Sequence, residues 1–433
     1  MSRTIYLTAA AVALLIGAGT TPAASAQSVA ESERPLVATA PRAIDADHPL
    51  TPIGTAVPQH LRSARPAPTA PPVQREHGEA IALRTGATYR VDADAPAAGP
   101  KQRGVAPAVV SPAQCAGLLP SGGTRVINHF ELCHVSTSGY DVLRGTRVVG
   151  HVSWRQVTVG NIYANDRGAF FTTSLENIKR TGETTDGLLR VDWGAGGYNG
   201  PDGSNKACDV HANPSNPTLL SAWQAGGTAT HDISSQRADG YGRDYVSRCA
   251  VASYVRNTGG SAQMMSSGMR MDSASYLEQF NGAIFDRVMP VMSYSRSSTS
   301  HKAVADHIHD AQTNPASTWP TKPGKAVPGS VASGKPLSRL YEQWDAAAAT
   351  QRQKNETAKN NACAPVRPTP SDDLDCDEYP FGSTWEGAGV GDNNFSVRYL
   401  DRSQNRSAGG SLAAWYASDR ILHRDRFYVA ITP

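Results

Sequence analysis

The stretch Ser371–Gly389, SDDLDCDEYPFGSTWEGAG, decides how the C-terminal part of the chain is expected to fold. It combines a dense set of carboxylates with aromatic residues, glycines and one cysteine. Successive side chains of a β-strand point to opposite faces. We therefore predict that Asp377 and Tyr379 share one face of a strand, with Cys376 and Glu378 on the other.

The residues that follow this strand supply further chemical groups. FGST can turn the chain and bring Glu386 back beside the strand, which Pro380 ends or confines to a sheet edge. Asn405 and Arg406 stand just before a predicted helix, SAGGSLAAWY, and a helix N-terminus favours phosphate. Two carboxylates, an amide, an arginine and a helix start are the components of metal-assisted phosphodiester hydrolysis. A solvated acidic loop or a simple calcium site is the alternative interpretation.

The rest of the C-terminal part, residues 283–433, alternates strand and helix patterns. RVMPVMSYS, FSVRYL and DRFYVAITP are typical of strands, and SHKAVADHIHDAQ of a short helix with Ser300 as its N-cap. LSRLYEQWDAAAATQRQKNETAKNN is rich in helix formers and predicts a long helix. We expect a small α+β domain.

Residues 109–282 have a different pattern. Short runs such as TRVVGHVSWRQVTVG and CAVASYVRN alternate apolar and polar residues, and glycine-rich turns separate them. This pattern is typical of an antiparallel, sandwich-like β domain. Its residues do not indicate an activity, and an inhibitor protein or a cell-surface partner for it is an open alternative.

The N-terminus has the pattern of an exported protein. Residues 1–26 contain one early cation, a short apolar run and small residues before a cleavage point, as signal peptides do. Residues 27–108 are rich in Ala and Pro and contain no Phe or Trp, which predicts a disordered linker or pro-segment. No later apolar stretch is long enough for membrane insertion. We expect a secreted, extracellular protein.

The cysteines fit an oxidising compartment. Six cysteines follow the signal sequence, an even number that favours disulfides. Short loops close most easily, so we predict three sequential pairs: Cys115 with Cys133, Cys208 with Cys249, and Cys363 with Cys376. A zinc site is the alternative, but no close CxxC spacing supports it.

The charge of the chain does not identify a ligand. The formal net charge is +3 for 433 residues, which is too small to indicate a polyanion-binding protein by itself. Any prediction of nucleic-acid binding must therefore depend on the site.

The spacing of these motifs resembles a known family. CDEYPFGSTWEGAG, followed by VRYL and NRSAGG, is similar to the NucA/NucB family of secreted bacterial deoxyribonucleases, with their D-E-W/Y-P, E-G-G and N-R-x-A-G motifs. The upstream HIHDA is similar to the H-I-x-D-A segment of that family. The resemblance covers about residues 285–433 and does not extend to residues 27–280.

The resemblance implies roles for individual residues. Asp377 is the leading catalytic carboxylate, with Glu378 beside it in the motif. Glu386 matches the glutamate before the glycines and is a further catalytic and metal-binding candidate. Asn405 and Arg406 match the asparagine–arginine pair, the first as a metal ligand with Asp377 and the second as a phosphate contact.

Two further contacts and a cofactor follow from the same resemblance. Arg398 and His307 are candidate phosphate or DNA contacts. By analogy with ββα-metal nucleases, Asp377 or Glu378 activates water while Asn405 helps to hold Mg²⁺ or Mn²⁺, with Ca²⁺ as a further option. This sequence has Ala388 and Ser407 where the family usually has glycine, which puts metal affinity rather than activity in doubt.

Together these observations predict a secreted metal-dependent endonuclease that hydrolyses extracellular DNA. Little sequence specificity is expected, because the chain lacks a groove-reading helix motif. The alternative is a non-catalytic surface- or matrix-binding protein whose acidic segment binds calcium.

Overall fold

The structure is a computed structural model that describes residues 34–61, 87–94, 110–197, 208–370 and 372–433. The predicted signal peptide, residues 1–26, lies outside these ranges. Among the described helices, none has the length and apolar character needed to cross a membrane.

The described residues form a mixed α+β fold with five α-helices and eighteen strands. The helices are α1 (Pro112–Leu118), α2 (Leu220–Gln224), α3 (Lys302–Thr313), α4 (Ala346–Cys363) and α5 (Arg402–Ser418). The strands are β1 (Leu36–Ala38), β2 (Arg42–Ala43), β3 (Thr88–Asp92), β4 (Gly123–Asn128), β5 (Glu131–Arg144), β6 (Arg147–Ile162), β7 (Gly168–Gly182), β8 (Leu189–Gly197), β9 (Asp209–Ala212), β10 (Thr228–Ser234), β11 (Ser247–Asn257), β12 (Gly260–Ser273), β13 (Asn281–Phe285), β14 (Met289–Ser295), β15 (Leu337–Ser338), β16 (Leu374–Tyr379), β17 (Ser396–Asp401) and β18 (Arg426–Thr432).

Two antiparallel sheets make up the β-rich part. One contains β1, β2, β4–β7, β9 and β10, and the other has the order β13-β12-β11-β8. Their alternating apolar side chains form one shared core, in which Phe171 packs against Trp193 and Phe285. The period-two pattern of the sequence therefore buries one face of each sheet against the other, as a sandwich-like arrangement requires.

The three predicted disulfides are confirmed. Cys115 is bonded to Cys133, Cys208 to Cys249, and Cys363 to Cys376, and no described cysteine is free. The last of these joins the C-terminal end of α4 to the middle of β16.

The C-terminal part contains a mixed four-stranded sheet with the order β15-β18-β14-β3 and a separate two-stranded sheet, β16-β17. Strand β14 is parallel to β18 and to β3, and α3 packs beside it. Tyr294, Ile308, Trp415 and Phe427 belong to the core beneath these elements.

Part of the segment predicted as a disordered linker is ordered. Strands β1 and β2 pair with β5, and β3 pairs with β14. The prediction of disorder is wrong for these short stretches because an edge strand gains main-chain hydrogen bonds without needing a sustained apolar pattern.

Several element boundaries differ from the prediction. Strand β13 continues to Phe285, so the β-rich sheets extend past residue 282. Helix α3 begins at Lys302 with His301, not Ser300, at the N-cap position. The predicted long helix is α4 alone: Asp345 caps it by accepting from the Ala348 N–H at 2.7 Å, and the residues before it form β15 and a turn.

Buried charged groups join the two parts. Arg420, 1% exposed, donates to the carboxylate of Asp272 and to the carbonyls of residues 279–281 in the β-rich part. Arg270 donates to Asp272 at 3.3 Å, to the Arg420 carbonyl at 2.7 Å and to Asp425. Asp419 accepts from the Tyr89 hydroxyl at 2.5 Å. The N-terminal strand, the β-rich part and the C-terminal part therefore share one polar junction.

Candidate active site

A β-hairpin followed directly by a helix forms the frame of the site. Strand β16 pairs antiparallel with β17, so that Asp377 lies opposite Arg398, and α5 begins one residue after β17. Asp401 caps α5 by accepting from the Gln404 N–H at 2.9 Å. Asn405 therefore lies in the first turns of the helix instead of before it, because this cap starts the helix earlier than predicted.

The two faces of β16 alternate as expected. Asp377 and Tyr379 face α3, where Tyr379 accepts a hydrogen bond from Gln312 at 2.8 Å. Cys376 and Glu378 face α4 through the disulfide and through Lys359, whose Nζ lies 4.0 Å from Glu378 Oε2. The strand is thus held between two helices, with one candidate carboxylate on each face.

A buried histidine fixes Asp377. His307 Nδ1 lies 2.7 Å from Asp377 Oδ2, and His307 Nε2 lies 2.7 Å from the hydroxyl of Ser396. His307 is fully buried with both ring nitrogens occupied, so its position does not support the predicted contact with phosphate or DNA. It acts on Asp377 instead, leaving Oδ1 as the carboxylate oxygen without a hydrogen bond to a described residue.

Glu378 has a near-neutral pKa. Burial raises the pKa of its carboxyl group to about 7, and the nearby Lys359 ammonium opposes part of that rise. Its Oε1 accepts a hydrogen bond from the Gly382 N–H at 3.1 Å. At neutral pH this group therefore exchanges readily between its protonated and ionised forms.

Asp377, Glu378 and Asn405 meet at one pocket. The pocket has a volume of about 290 Å³ and is bounded by the hairpin, the loop after Pro380, α4 and α5. The Asn405 amide makes no hydrogen bond with a described residue. Although the two carboxylates leave opposite faces of β16, both reach this pocket at the end of the strand.

The donor set of the pocket fits a small hard cation. Magnesium keeps several of its water ligands and is bound through one or two carboxylates, and this pocket offers carboxylate oxygens and an amide carbonyl. In the ranges that the structure describes, no three His, Cys, Asp or Glu side chains converge as metal ligands. Which divalent ion binds there, Ca²⁺ included, stays a prediction.

Glu386 does not reach the pocket. Its carboxylate accepts from the Ser338 N–H at 2.7 Å and from the Ser338 hydroxyl at 2.9 Å, and burial raises its pKa. The predicted catalytic and metal-binding role is not what its position supports. The turn after Pro380 directs the chain toward β15, and Glu386 fastens this loop to that strand.

Arg398 and Arg406 lie outside the pocket lining. Arg398 donates to Asp310 at 2.7 Å, and Arg406 donates to Asp375 at 3.0 Å with 70% of its side chain exposed. Both face solvent near the hairpin, where a role on the DNA backbone stays a prediction.

Sequence reasoning missed the contribution of α4. Asn355, 1% exposed, donates to the carbonyls of Gly382 and Thr384 at 3.0 and 2.9 Å and accepts from the Gly389 N–H at 2.9 Å. It thereby holds the loop after the D-E-Y-P motif against the helix. The spacing of Arg352, Asn355 and Lys359, three and four residues apart, would have indicated one helix face, but not which neighbour that face contacts.

The packing of α4 explains why this chain can have Ala388 in place of the second glycine of the E-G-G motif. A Cβ atom at Gly387 would lie 2.5 Å from Asn355 Nδ2, and one at Gly389 would lie 2.5 Å from the Asn355 main-chain nitrogen. Ala388 is 2% exposed and packs in the core beside Cys363. The close approach of α4 thus needs glycine at 387 and 389 and tolerates alanine between them.

Comparison with known proteins agrees with the predicted resemblance. The family model for deoxyribonuclease NucA/NucB matches residues 330–430, from just before β15 into β18. The match contains Asp377, Glu378 and Asn405 and begins downstream of the His307 segment. No curated protein and no solved structure matches the chain. Residues 330–430 are therefore similar to a deoxyribonuclease domain, and this similarity indicates a nuclease that acts on DNA.

Proposed function

We propose that this protein is a secreted, metal-dependent endonuclease that hydrolyses the phosphodiester bonds of DNA with little sequence specificity. One observation carries the proposal: Asp377, Glu378 and Asn405 meet at one pocket, within the region that matches a deoxyribonuclease family. The hairpin-then-helix order of β16, β17 and α5 favours a site of the ββα-metal type. Three disulfides favour an extracellular location.

Asp377 is the general base of this mechanism. His307 holds one of its oxygens, and the other is left to accept a proton from the water that attacks phosphorus. A base that is fixed in this way needs no reorganisation at the moment of proton transfer. Ser396 holds the far side of the histidine ring at 2.7 Å and so fixes the direction in which the ring points.

Asn405 and Glu378 are the residues that would hold Mg²⁺ or Mn²⁺. A bound ion of this kind stabilises negative charge on phosphoryl oxygens. The Asn405 side-chain amide is neutral and has no hydrogen-bond partner among the described residues, and Glu378 ionises near neutral pH. At neutral pH the carboxyl group of Glu378 therefore loses its proton easily, and a cation that binds the ionised form favours this loss.

A plasmid assay tests the proposal. The purified full-length protein should convert supercoiled DNA to open-circular and linear forms with Mg²⁺ or Mn²⁺, and EDTA should stop the reaction. Asp377→Asn should lower the rate about 1,000-fold, since a positioned general base contributes roughly 10²- to 10⁴-fold. The matched control is Asp375→Asn, because Asp375 lies on the same strand but pairs with Arg402 and Arg406 outside the pocket.

Two results would contradict the proposal. One is intact plasmid across a panel of divalent ions. The other is equal loss of activity in the Asp375 and Asp377 variants, which would indicate a damaged fold and not a lost base.

A further inference from the structure

Arg352 is an arginine with unused hydrogen-bond donors at the edge of the pocket. It lies on α4, and of the described residues that line the pocket it is the only cation. Its Nη1 is buried and has no hydrogen-bond partner in the described parts of the chain. The nearest carboxylate oxygens to its other nitrogens are 3.7 Å away in Glu342 and 3.8 Å away in Glu356. Buried polar nitrogens normally have a hydrogen-bond partner, so the unused donors of this guanidinium are available to a bound ligand.

The backbone is shaped to admit this guanidinium beside the carboxylates. A Cβ atom at Gly382 would clash with Arg352 Nη1 and with Glu378 Oε1. Glycine at this position therefore lets the arginine and the carboxylate approach the same point of the loop. Asn355, three residues along α4, fixes the Gly382 carbonyl at 3.0 Å and holds the loop in place.

The other arginines near the hairpin are engaged elsewhere. Arg398, Arg402 and Arg406 lie within 2.7–3.3 Å of the carboxylates of Asp310 or Asp375. Lys359, on the same face of α4, donates to Glu356 at 2.8 Å. Arg352 combines a position in the pocket with donors that remain unused.

On the basis of the proposed nuclease function, we infer that Arg352 binds the non-bridging oxygens of the scissile phosphate. Attack forms a bond between the water oxygen and phosphorus and breaks one P–O ester bond. One water proton passes to Asp377, and the leaving oxygen takes a proton from bulk water. Negative charge grows on the phosphoryl oxygens during this step, and a planar guanidinium matches two of those oxygens at once.

Substitution of Arg352 tests this assignment. Loss of one preorganised donor to a developing oxyanion costs roughly 10²- to 10³-fold in kcat, so Arg352→Met should lower kcat about 100-fold with Mg²⁺ present. Arg352→Lys keeps the positive charge but not the planar guanidinium group that contacts two oxygens, so it should recover only part of the rate. The matched control is Lys354→Met, which removes an exposed cation of the same helix that does not line the pocket and should change kcat by less than about threefold.

Two readouts separate a phosphate contact from a structural role. Free guanidinium at millimolar concentration should partly restore the activity of Arg352→Ala, which a structural defect would not allow. With bis(p-nitrophenyl) phosphate, a diester without a DNA groove, the loss for Arg352→Met should persist. The urea midpoint of each variant should stay close to that of the wild type, because a third of this side chain is exposed.

The outcomes are distinguishable from failure of the proposed function. A wild-type protein that leaves DNA intact overturns the nuclease proposal itself. A wild-type protein that cuts DNA, together with an Arg352→Met variant within threefold of its kcat, overturns the role of Arg352 alone. If the methionine variant does not fold, Arg352→Lys tests the proposal. A wild-type kcat in that variant would show that the planar guanidinium group is not needed.

Discussion

Two groups of buried and partly buried charged and polar side chains differ in how many of their hydrogen-bonding atoms find a partner within the protein. The junction cluster consists of Arg270, Asp272, Arg420 and Asp425, between the β-rich and C-terminal parts. The pocket cluster consists of Arg352, Asp377, Glu378 and Asn405. In the junction cluster all five N–H donors of Arg420 meet carboxylate or carbonyl oxygens. In the pocket cluster, Arg352 Nη1 and the Asn405 amide meet none among the described residues.

Buried charge by itself therefore does not indicate function. Charges removed from water are costly unless they are paired and hydrogen-bonded. The junction cluster meets this requirement internally, so its role is to join two parts of the fold. The pocket cluster leaves groups unsatisfied, and a cation and a phosphate are the ligands that its oxygens and guanidinium would accept. Substitutions in the two clusters should therefore have opposite effects on stability.

The largest effect on stability is expected in the junction cluster. Asp272→Ala leaves Arg270 and Arg420 without their shared carboxylate, although they are only 2% and 1% exposed. Removal of one partner of a buried pair typically costs 3–5 kcal/mol, so we expect the free energy of unfolding to fall by about 4 kcal/mol. Urea unfolding measures it.

A surface acid of the same β-rich part provides the control for this comparison. Asp192 pairs with Arg190 and Arg256 at 3.2 and 3.1 Å and is partly exposed, so Asp192→Ala should cost less than about 1 kcal/mol. Equal losses in the Asp192 and Asp272 variants would contradict a special role for the junction cluster.

An intermediate effect is expected for the disulfide that borders the pocket. Replacing Cys363 and Cys376 together with alanine should lower the free energy of unfolding by about 3 kcal/mol, the typical value for a loop of this length. It should also lower nuclease activity, because α4 carries Arg352 and is tied to β16 by this bond. Urea unfolding and the plasmid assay measure the two effects.

The distant disulfide separates stability from activity. Replacing Cys115 and Cys133 with alanine should cost a similar free energy of unfolding, since 18 residues separate them. The folded fraction should cut DNA at the wild-type rate. An equal loss of specific activity in both double variants would show that α4 needs no covalent anchor to position the pocket.

The smallest effect on stability is expected for Glu378→Gln in EDTA, where the free energy of unfolding should rise instead of fall. Burial raises the pKa of Glu378 from 4.5 to about 7. Between these values the unfolded chain releases a proton that the folded protein keeps, so the wild type loses stability as pH rises through that window. At pH 8 the glutamine variant should be about 2 kcal/mol more stable, after allowance for partial access of water, and at pH 4 the two should be equal.

The matched control for this variant lies on α4. Glu356 is about half exposed, and a hydrogen bond from Lys359 lowers the pKa of its carboxyl group. Glu356→Gln should therefore not raise stability at pH 8. Greater stability at pH 8 in both variants, or a loss in Glu378→Gln, would show that burial of the ionised Glu378 carboxylate does not destabilise the fold.

The junction cluster also affects which fragments of the chain keep their native contacts. The sequence suggests a boundary near residue 282, but strand β3 from the N-terminal segment is part of the C-terminal sheet. Its Tyr89 donates to Asp419, and burial raises the pKa of Asp419 to about 8. A fragment that begins near Phe285 would leave Asp419 and Arg420 without these partners, so the tests above use the full chain.

Local patterns were sufficient for much of the site. Period-two alternation placed Asp377 and Glu378 on opposite faces of β16, and short loop closure predicted all three disulfides. Motif spacing identified the hairpin and the helix that carries Asn405. These features depend on residues close together in the chain, and the steric rules of a strand or a short loop act at that range.

Such local patterns do not predict contacts between residues that are far apart in the chain. His307 bonds to Asp377 across 70 residues, and Glu386 bonds to Ser338 across 48. The direction of the loop after Pro380 and the face of α4 that meets it follow from packing, so the sequence placed Glu386 in the site and left Arg352 out.

Three features of this protein therefore follow from the sequence alone: the kinds of chemical groups present, the alternation of side chains along β16 and the disulfide links. Tertiary structure decided which polar atoms are satisfied by the protein and which remain open to a ligand. That distinction depends on desolvation and on partners supplied from distant parts of the chain, and a linear pattern contains neither.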